Sequence, residues 1–261
     1  MRKLKRTPHF DLTLDVKDGA FIAPPREAQR HWLLNRAVAE TVMDLEALHG
    51  VAGRFVPGID FSAIGERTQG DLSDDQIMED WLIPLMQAMA AEVTATHGDV
   101  LEIGFGRGVS SDFIQAGGVK SHTIVECNDS VIVRYEAWRA RLPERDIRLL
   151  AGRWQDVTDQ MGAYDGVFFH TYPLNDDEYV DTVVKSATFA EHFFATAAAH
   201  LRPGGVFTYM TNEIDSLSRA HQRALLRHFG TFSVRVLPLQ PPADVHDTWW
   251  ADSMVVVGAR K

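Results

Sequence analysis

From residue 99 onward, short apolar runs alternate with longer stretches of helical period. Residues 100–103, 122–127, 147–151, 164–169 and 206–210 are rich in β-branched and aromatic side chains and read as buried strands. Between them, 109–116, 130–142, 179–200 and 216–229 are expected to be helices, and Leu201-Arg202-Pro203-Gly204-Gly205 a tight turn into the fifth strand. Two further strands, 232–238 and 253–259, flank a proline-rich loop over 238–244. Ahead of the first strand, 76–96 carries the helical stripe Ile77, Met78, Trp81, Leu85, Met89 and Val93, with Ser73 as its cap and Pro84 as a kink or break. Further upstream, 10–16 alternates as a short edge strand would, 27–49 is an amphipathic helix ended by Gly50, and 50–72 is an irregular connection. The alternation predicts an α/β domain over 73–261 with a mostly parallel sheet and helices on both faces. It is preceded by a helical N-terminal extension over 1–72, serving as an active-site cap or a dimer contact.

Composition narrows the class. With 261 residues, 45% apolar and 24% charged, the chain is long enough to bury a sizeable core. A net charge of −10 argues against a nucleic-acid partner held through phosphates. The first six residues are basic, but no apolar segment follows as in a secretory signal, and no run is long enough for a membrane span. Cys127 is the only cysteine, which excludes an internal disulfide and fits a cytoplasmic location. The eleven histidines show no H-x-x-x-H spacing, so no metal is expected.

The chemistry concentrates after the first strand. Glu102 is followed by Gly104, Gly106 and Gly108 and then by a helix start, a turn that lays bare N–H groups and a helix N-terminus against a ligand. This spacing differs from the dinucleotide fingerprint G-x-G-x-x-G. Glu126 ends the second strand 22 residues after Gly104, where a carboxylate can accept from both hydroxyls of a ribose. Trp154 opens the turn after the third strand, and His170 and Tyr172 lie at the carboxyl end of the fourth, where open α/β sheets bind ligands.

The order E-x-G-x-G-x-G resembles the first motif of class I S-adenosylmethionine-dependent methyltransferases. Together with Met78-Glu79-Asp80-Trp81, Glu126-Cys127-Asn128-Asp129, Gly152-Arg153-Trp154-Gln155-Asp156 and Thr171-Tyr172-Pro173-Leu174, it resembles the guanidinoacetate N-methyltransferase family and its arginine N-methyltransferase relatives, over about residues 76–259. The resemblance implies a Rossmann-like seven-stranded sheet of order 3-2-1-4-5-7-6. It also implies S-adenosylmethionine held by Glu102, Gly104, Gly106, Glu126, Cys127, Arg153, Trp154 and His170, and released as S-adenosylhomocysteine, with the 152–156 turn beside the adenine.

The acceptor side departs from the family. Leu82 stands where the family has a glutamate after the tryptophan, and His170 where it has an aspartate before Thr-Tyr-Pro. In the family those carboxylates grip a guanidinium, whose pKa of about 12.5 or more demands a counter-charge and a proton acceptor. Three readings follow. In the favoured one, a small guanidino or amino acceptor is held near Glu79, Leu82, Tyr172, Asp176 and Glu213, with Asp80, Asp177 and Asp244 as further acids. In the second, His170 and Tyr172 are catalytic and His170 serves a less basic nitrogen or a hydroxyl as a general base matched to neutral pH. In the third, the protein binds the cofactor without methylating anything.

Overall fold

The computed structural model describes residues 71–175, 178, 181–182, 186–211, 213–242 and 252–261, together with the backbone of 15–17 and 20–22. The helix expected over 27–49, the connection over 50–70, and Asp176, Asp177 and Asp244 lie outside the described residues. Two compact units divide the chain. In the unit of residues 1–63 and 240–252, β1 (Asp15–Lys17) pairs antiparallel with β2 (Ala20–Ile22). Residues 15 and 16 of the expected edge strand thus lie in one arm of a hairpin, and 10–14 lie outside the described residues.

The other unit carries the main sheet, built from β3 (Asp99–Ile103), β4 (Ser121–Glu126), β5 (Ile147–Ala151), β6 (Tyr164–Phe169), β7 (Leu201–Thr211), β8 (Thr231–Pro238) and β9 (Ser253–Arg260). Its order is β5-β4-β3-β6-β7-β9-β8. The first five strands are parallel, and β9 runs antiparallel to both β7 and β8. Counted within this sheet, that is the expected 3-2-1-4-5-7-6. The reversal from β3 to β6 opens a crevice at the carboxyl ends of the central strands.

The helices are α1 (Asp74–Ile77), α2 (Ile83–Thr94), α3 (Val109–Ala116), α4 (Asp129–Arg139), α5 (Trp154–Val157), α6 (Phe194–His200) and α7 (Arg219–Leu226). One buried cluster joins Leu101, Ile103, Val167, Phe169, Phe193, Phe194, Phe207 and Tyr209. A second gathers Phe105, Ile124, Val131, Tyr135 and Trp138. Burying each such aromatic or branched side chain contributes roughly 1.5–3 kcal/mol relative to exposure.

Three expected elements differ. The helix expected over 76–96 is α1, a 3-10 turn over Asp80–Leu82, and α2. Ser73 and Gln76 close a capping box on α1, Met78 is fully extended, and Pro84 takes a place in the first turn of α2, where its missing N–H costs no helical bond. The long helix expected over 179–200 is interrupted, because Thr188 is extended and starts a 3-10 turn over Phe189–Phe193 ahead of α6. The Arg-Pro-Gly-Gly segment lies inside β7, whose register against β6 shifts between Tyr164 and Gly166.

Candidate active site

The turn after β3 is shaped by its neighbours. Gly104 has φ +91°, and a β-carbon there would fall 2.2 Å from the His170 carbonyl oxygen, so glycine is required by the close approach of β6. Gly108 caps α3 in the left-handed region, and Phe105 turns down into a cage with Tyr135 and Trp138, at ring distances of 5.5 and 5.4 Å.

Glu126 clamps this turn. Its Oε2 accepts from the N–H groups of Phe105 (3.0 Å) and Gly106 (3.4 Å), and its Oε1 from those of Cys127 (2.7 Å) and Asn128 (2.9 Å). Four donors fill the lone-pair positions of a carboxylate. The bond from Gly106 is the longest, and a ligand hydroxyl would displace it most readily. Asn128 continues the device as the cap of α4, accepting from Val131 N–H at 3.1 Å.

Glu102 points the other way. Fully buried, its carboxylate accepts from the hydroxyls of Ser110 and Ser111 in the first turn of α3 and lies 3.0 Å from Nε2 of His122. It does not line either cleft described below, and it anchors α3 beneath the glycine turn.

Two adjoining clefts open above Glu126 and share Gly104, Glu126, Cys127, Thr171, Tyr172 and Leu174. The larger encloses about 770 Å³ including its open mouth and runs past Gly106 and Arg107 to Ile77, Met78 and His170. The smaller, about 380 Å³, is walled by Arg153, Trp154, Gln155, Glu178, Phe189 and His192. Both volumes suit parts of a nucleoside-sized ligand.

A strap closes the larger cleft. Nη1 of Arg107 donates to the Met78 carbonyl (2.8 Å) and to Oδ1 of Asp80 (2.7 Å). Arg134, on α4, donates to Asp74 and to the Leu72 carbonyl, the latter at 2.9 Å. The hydrogen bond from Arg134 is the chief reason the Asp74 carboxyl titrates below its ordinary range.

His170 is half-buried and its pKa is lowered to about 4, chiefly by burial, with the Glu102 charge opposing. The ring is therefore neutral at pH 7, and its conjugate acid is too strong to retain a proton there. A ring so shifted lies below the neutral range expected of it as a general base. Tyr172 is 51% exposed at the rim of both clefts. Cys127 lines both, with its thiol pushed up to about 12 by burial first and then by Glu126. Arg153 holds Asp156 through two hydrogen bonds of 2.8 and 3.1 Å, and Trp154 packs edge-on against Phe193 at 5.0 Å.

The residues expected on the acceptor side are dispersed. Leu82 is buried and lines neither cleft. Glu79 accepts from the indole N–H of Trp81 at 2.9 Å. Glu213 accepts from Ser218 N–H and lies 2.6 Å from Nδ1 of the buried His221, whose Nε2 meets the Tyr209 hydroxyl at 2.6 Å. Sequence reasoning did not single out Arg107, Glu178, Phe189 or His192 as wall residues. Arg107 sits within the glycine motif and could have been found there, whereas the other three reach the site only through tertiary packing.

Among the described residues no cluster of His, Cys, Asp and Glu could hold a metal ion, and no helix is long and apolar enough to cross a membrane. The fold is shared with the N-methyltransferase NodS from Bradyrhizobium japonicum, solved with S-adenosyl-L-homocysteine, at a TM-score of 0.50 and 12% identity over 72% of this chain and 93% of that one. Protein arginine N-methyltransferase 2 of Eremothecium gossypii is 30% identical over 141 residues, and that of Saccharomyces cerevisiae 29% over 150. Each match covers 52% of this chain and 32% of the relative, so the chain spans about a third of the length of the curated relatives it matches. The family described as guanidinoacetate N-methyltransferase matches residues 66–224, from α1 through most of α7. The chain belongs to the guanidinoacetate N-methyltransferase family.

Proposed function

We propose that the chain methylates a guanidino nitrogen of an arginine-like acceptor, free or within a protein. The observation that carries this reading is the family match across the whole of the clefted region, joined by relatives named as protein arginine N-methyltransferases. Bound S-adenosylmethionine supplies a methyl group on a sulfonium centre. The turn at Gly104 and Gly106 leaves room for its backbone-facing part, Glu126 takes the ribose, and the smaller cleft beside Trp154 takes the adenine. Cys127 and Arg153 border that path, and Glu102 acts from beneath by holding α3.

On the acceptor side, the nitrogen lone pair forms the new N–C bond, the C–S pair stays with sulfur, and one N–H proton leaves. Neutral His170 accepts a hydrogen bond from the acceptor and aims its lone pair. With a pKa of about 4 it passes the proton to water at the open mouth of the cleft rather than keeping it. Tyr172 closes the rim. Glu79, Asp80 and Glu213 are already engaged with Trp81, Arg107 and His221, which leaves Asp176, Asp177 and Asp244 as candidate counter-charges for a guanidinium.

One observation favours a second reading. Among the described residues the larger cleft is lined by a single carboxylate, Glu126, and that group is held by four N–H donors. Such a wall suits an acceptor that is already neutral, an amine of low basicity or a hydroxyl. Transfer of labelled methyl across arginine, arginine peptides, guanidinoacetate, weak amines and phenols separates the two. Label in guanidino compounds alone supports the first, and label only in amines or phenols overturns it. Segment 1–72 is proposed as a cap or dimer contact, checked by the solution mass and activity of the full chain and of a chain lacking it.

A further inference from the structure

His192 belongs to the 3-10 turn over Phe189–Phe193 and lines the smaller cleft. Its Nδ1 meets the Phe189 carbonyl. A carbonyl oxygen can only accept, so Nδ1 carries the proton and Nε2 of the neutral ring bears a lone pair. That Nε2 atom is buried and has no hydrogen-bond partner among the described residues. The ring is packed by Trp154 at 5.6 Å, Phe169 at 5.7 Å and Phe189 at 4.8 Å. Burial also lowers the pKa of this ring, against the opposing pull of the Phe189 carbonyl and Glu178.

A buried acceptor without a donor is costly, and native proteins rarely keep one without a use. This one belongs to a ring set among aromatic faces that lines the cleft shared with Glu126. A ligand that satisfies it must be flat, apolar on its faces, and carry an N–H donor on its edge. Adenine has these properties, with its exocyclic amine as the donor. We infer that Nε2 of His192 accepts a hydrogen bond from the adenine amine of the cofactor and so selects adenine over bases with a carbonyl at that position. This rests on the reading that the smaller cleft receives the adenine.

The test is calorimetric titration of the full chain with S-adenosylhomocysteine and with S-inosylhomocysteine, which carries a carbonyl oxygen in place of the amine. Wild type is expected to prefer the adenine compound by about tenfold or more, since an acceptor facing an acceptor leaves both unpaired. His192→Phe keeps the aromatic packing and removes the lone pair. It should weaken the adenine compound about tenfold while leaving the inosine compound unchanged. His192→Gln, whose amide oxygen can accept, should restore part of the preference, and melting curves identify any variant that fails to fold. Equal weakening of both compounds by His192→Phe, or no change in either, overturns the inference, as does a preference lost in Glu178→Gln but kept in His192→Phe. Glu126→Gln separates the two levels. If it weakens both compounds while His192→Phe has no effect, only the role of His192 fails. If neither variant weakens binding, the placement of the cofactor fails with it.

Discussion

His170 enters the folded state with its proton affinity suppressed, from an ordinary 6.5 to about 4. Between those values the unfolded chain binds more protons than the folded one, so this contribution is complete above pH 6.5 and is lost as the pH falls towards 4. The loss is on the order of 3 kcal/mol. Urea unfolding at pH 7 and pH 4.5 should show wild type losing more stability than His170→Asn, and equal losses would remove the effect from His170. Gly104→Ala should destabilise the domain by about 3 kcal/mol or more, because a β-carbon at φ +91° meets the His170 carbonyl. A melting temperature unchanged from wild type would contradict that. At this scale the pairing of Glu126 with the glycine turn was legible in the sequence, since strand-end spacing brings them together, and the structure joins them by hydrogen bonds. His192 was not, because its meaning depends on which ring nitrogen its own turn consumes.

The strands were the most legible elements. The runs of the central strands fit a sheet buried on both faces, the edge strand β8 is largely exposed, and the sequence reading placed all seven to within a few residues, apart from the start of β7. Helices were legible where a cap was recognised, as Ser73 is at the start of α1. They were misread where local bonding outcompetes periodicity. Met78 is extended and gives its carbonyl to Arg107, and the Glu191 side chain accepts from Ala187 N–H at 2.6 Å ahead of the 3-10 turn. The strap over 72–82 is therefore held by two arginines. Arg107→Met should raise amide hydrogen exchange across 72–82 and weaken S-adenosylhomocysteine binding several-fold, while exchange in β3–β7 stays as in wild type. Unchanged exchange in the strap would mean that Arg107 does not hold it.

For the whole molecule, the β3–β6 reversal brings one charged clamp and one uncharged wall to the same edge of the sheet. Glu126, the glycine turn, His170 and Tyr172 all line the larger cleft there, and the first two are proposed for the cofactor and the last two for the acceptor. The alternation of strands and helices follows from patterns within the chain, strand order and cofactor class were implied by the family resemblance, and the sheet has the implied order. The acceptor does not follow in the same way. The chain spans about a third of its curated relatives, and the sequence reading expects Leu82 and His170 where the family has its guanidino-binding carboxylates. The division of labour between the two walls is tested most directly by labelled methyl transfer from S-adenosylmethionine to arginine and to an arginine peptide. Wild type and His170→Ala are compared with S-adenosylhomocysteine affinity measured on the same samples. Wild type should label the guanidino group, and His170→Ala should lose about a hundredfold or more in turnover while its affinity stays within about twofold. No label from wild type despite tight cofactor binding, or equal losses of turnover and affinity in His170→Ala, would contradict the account.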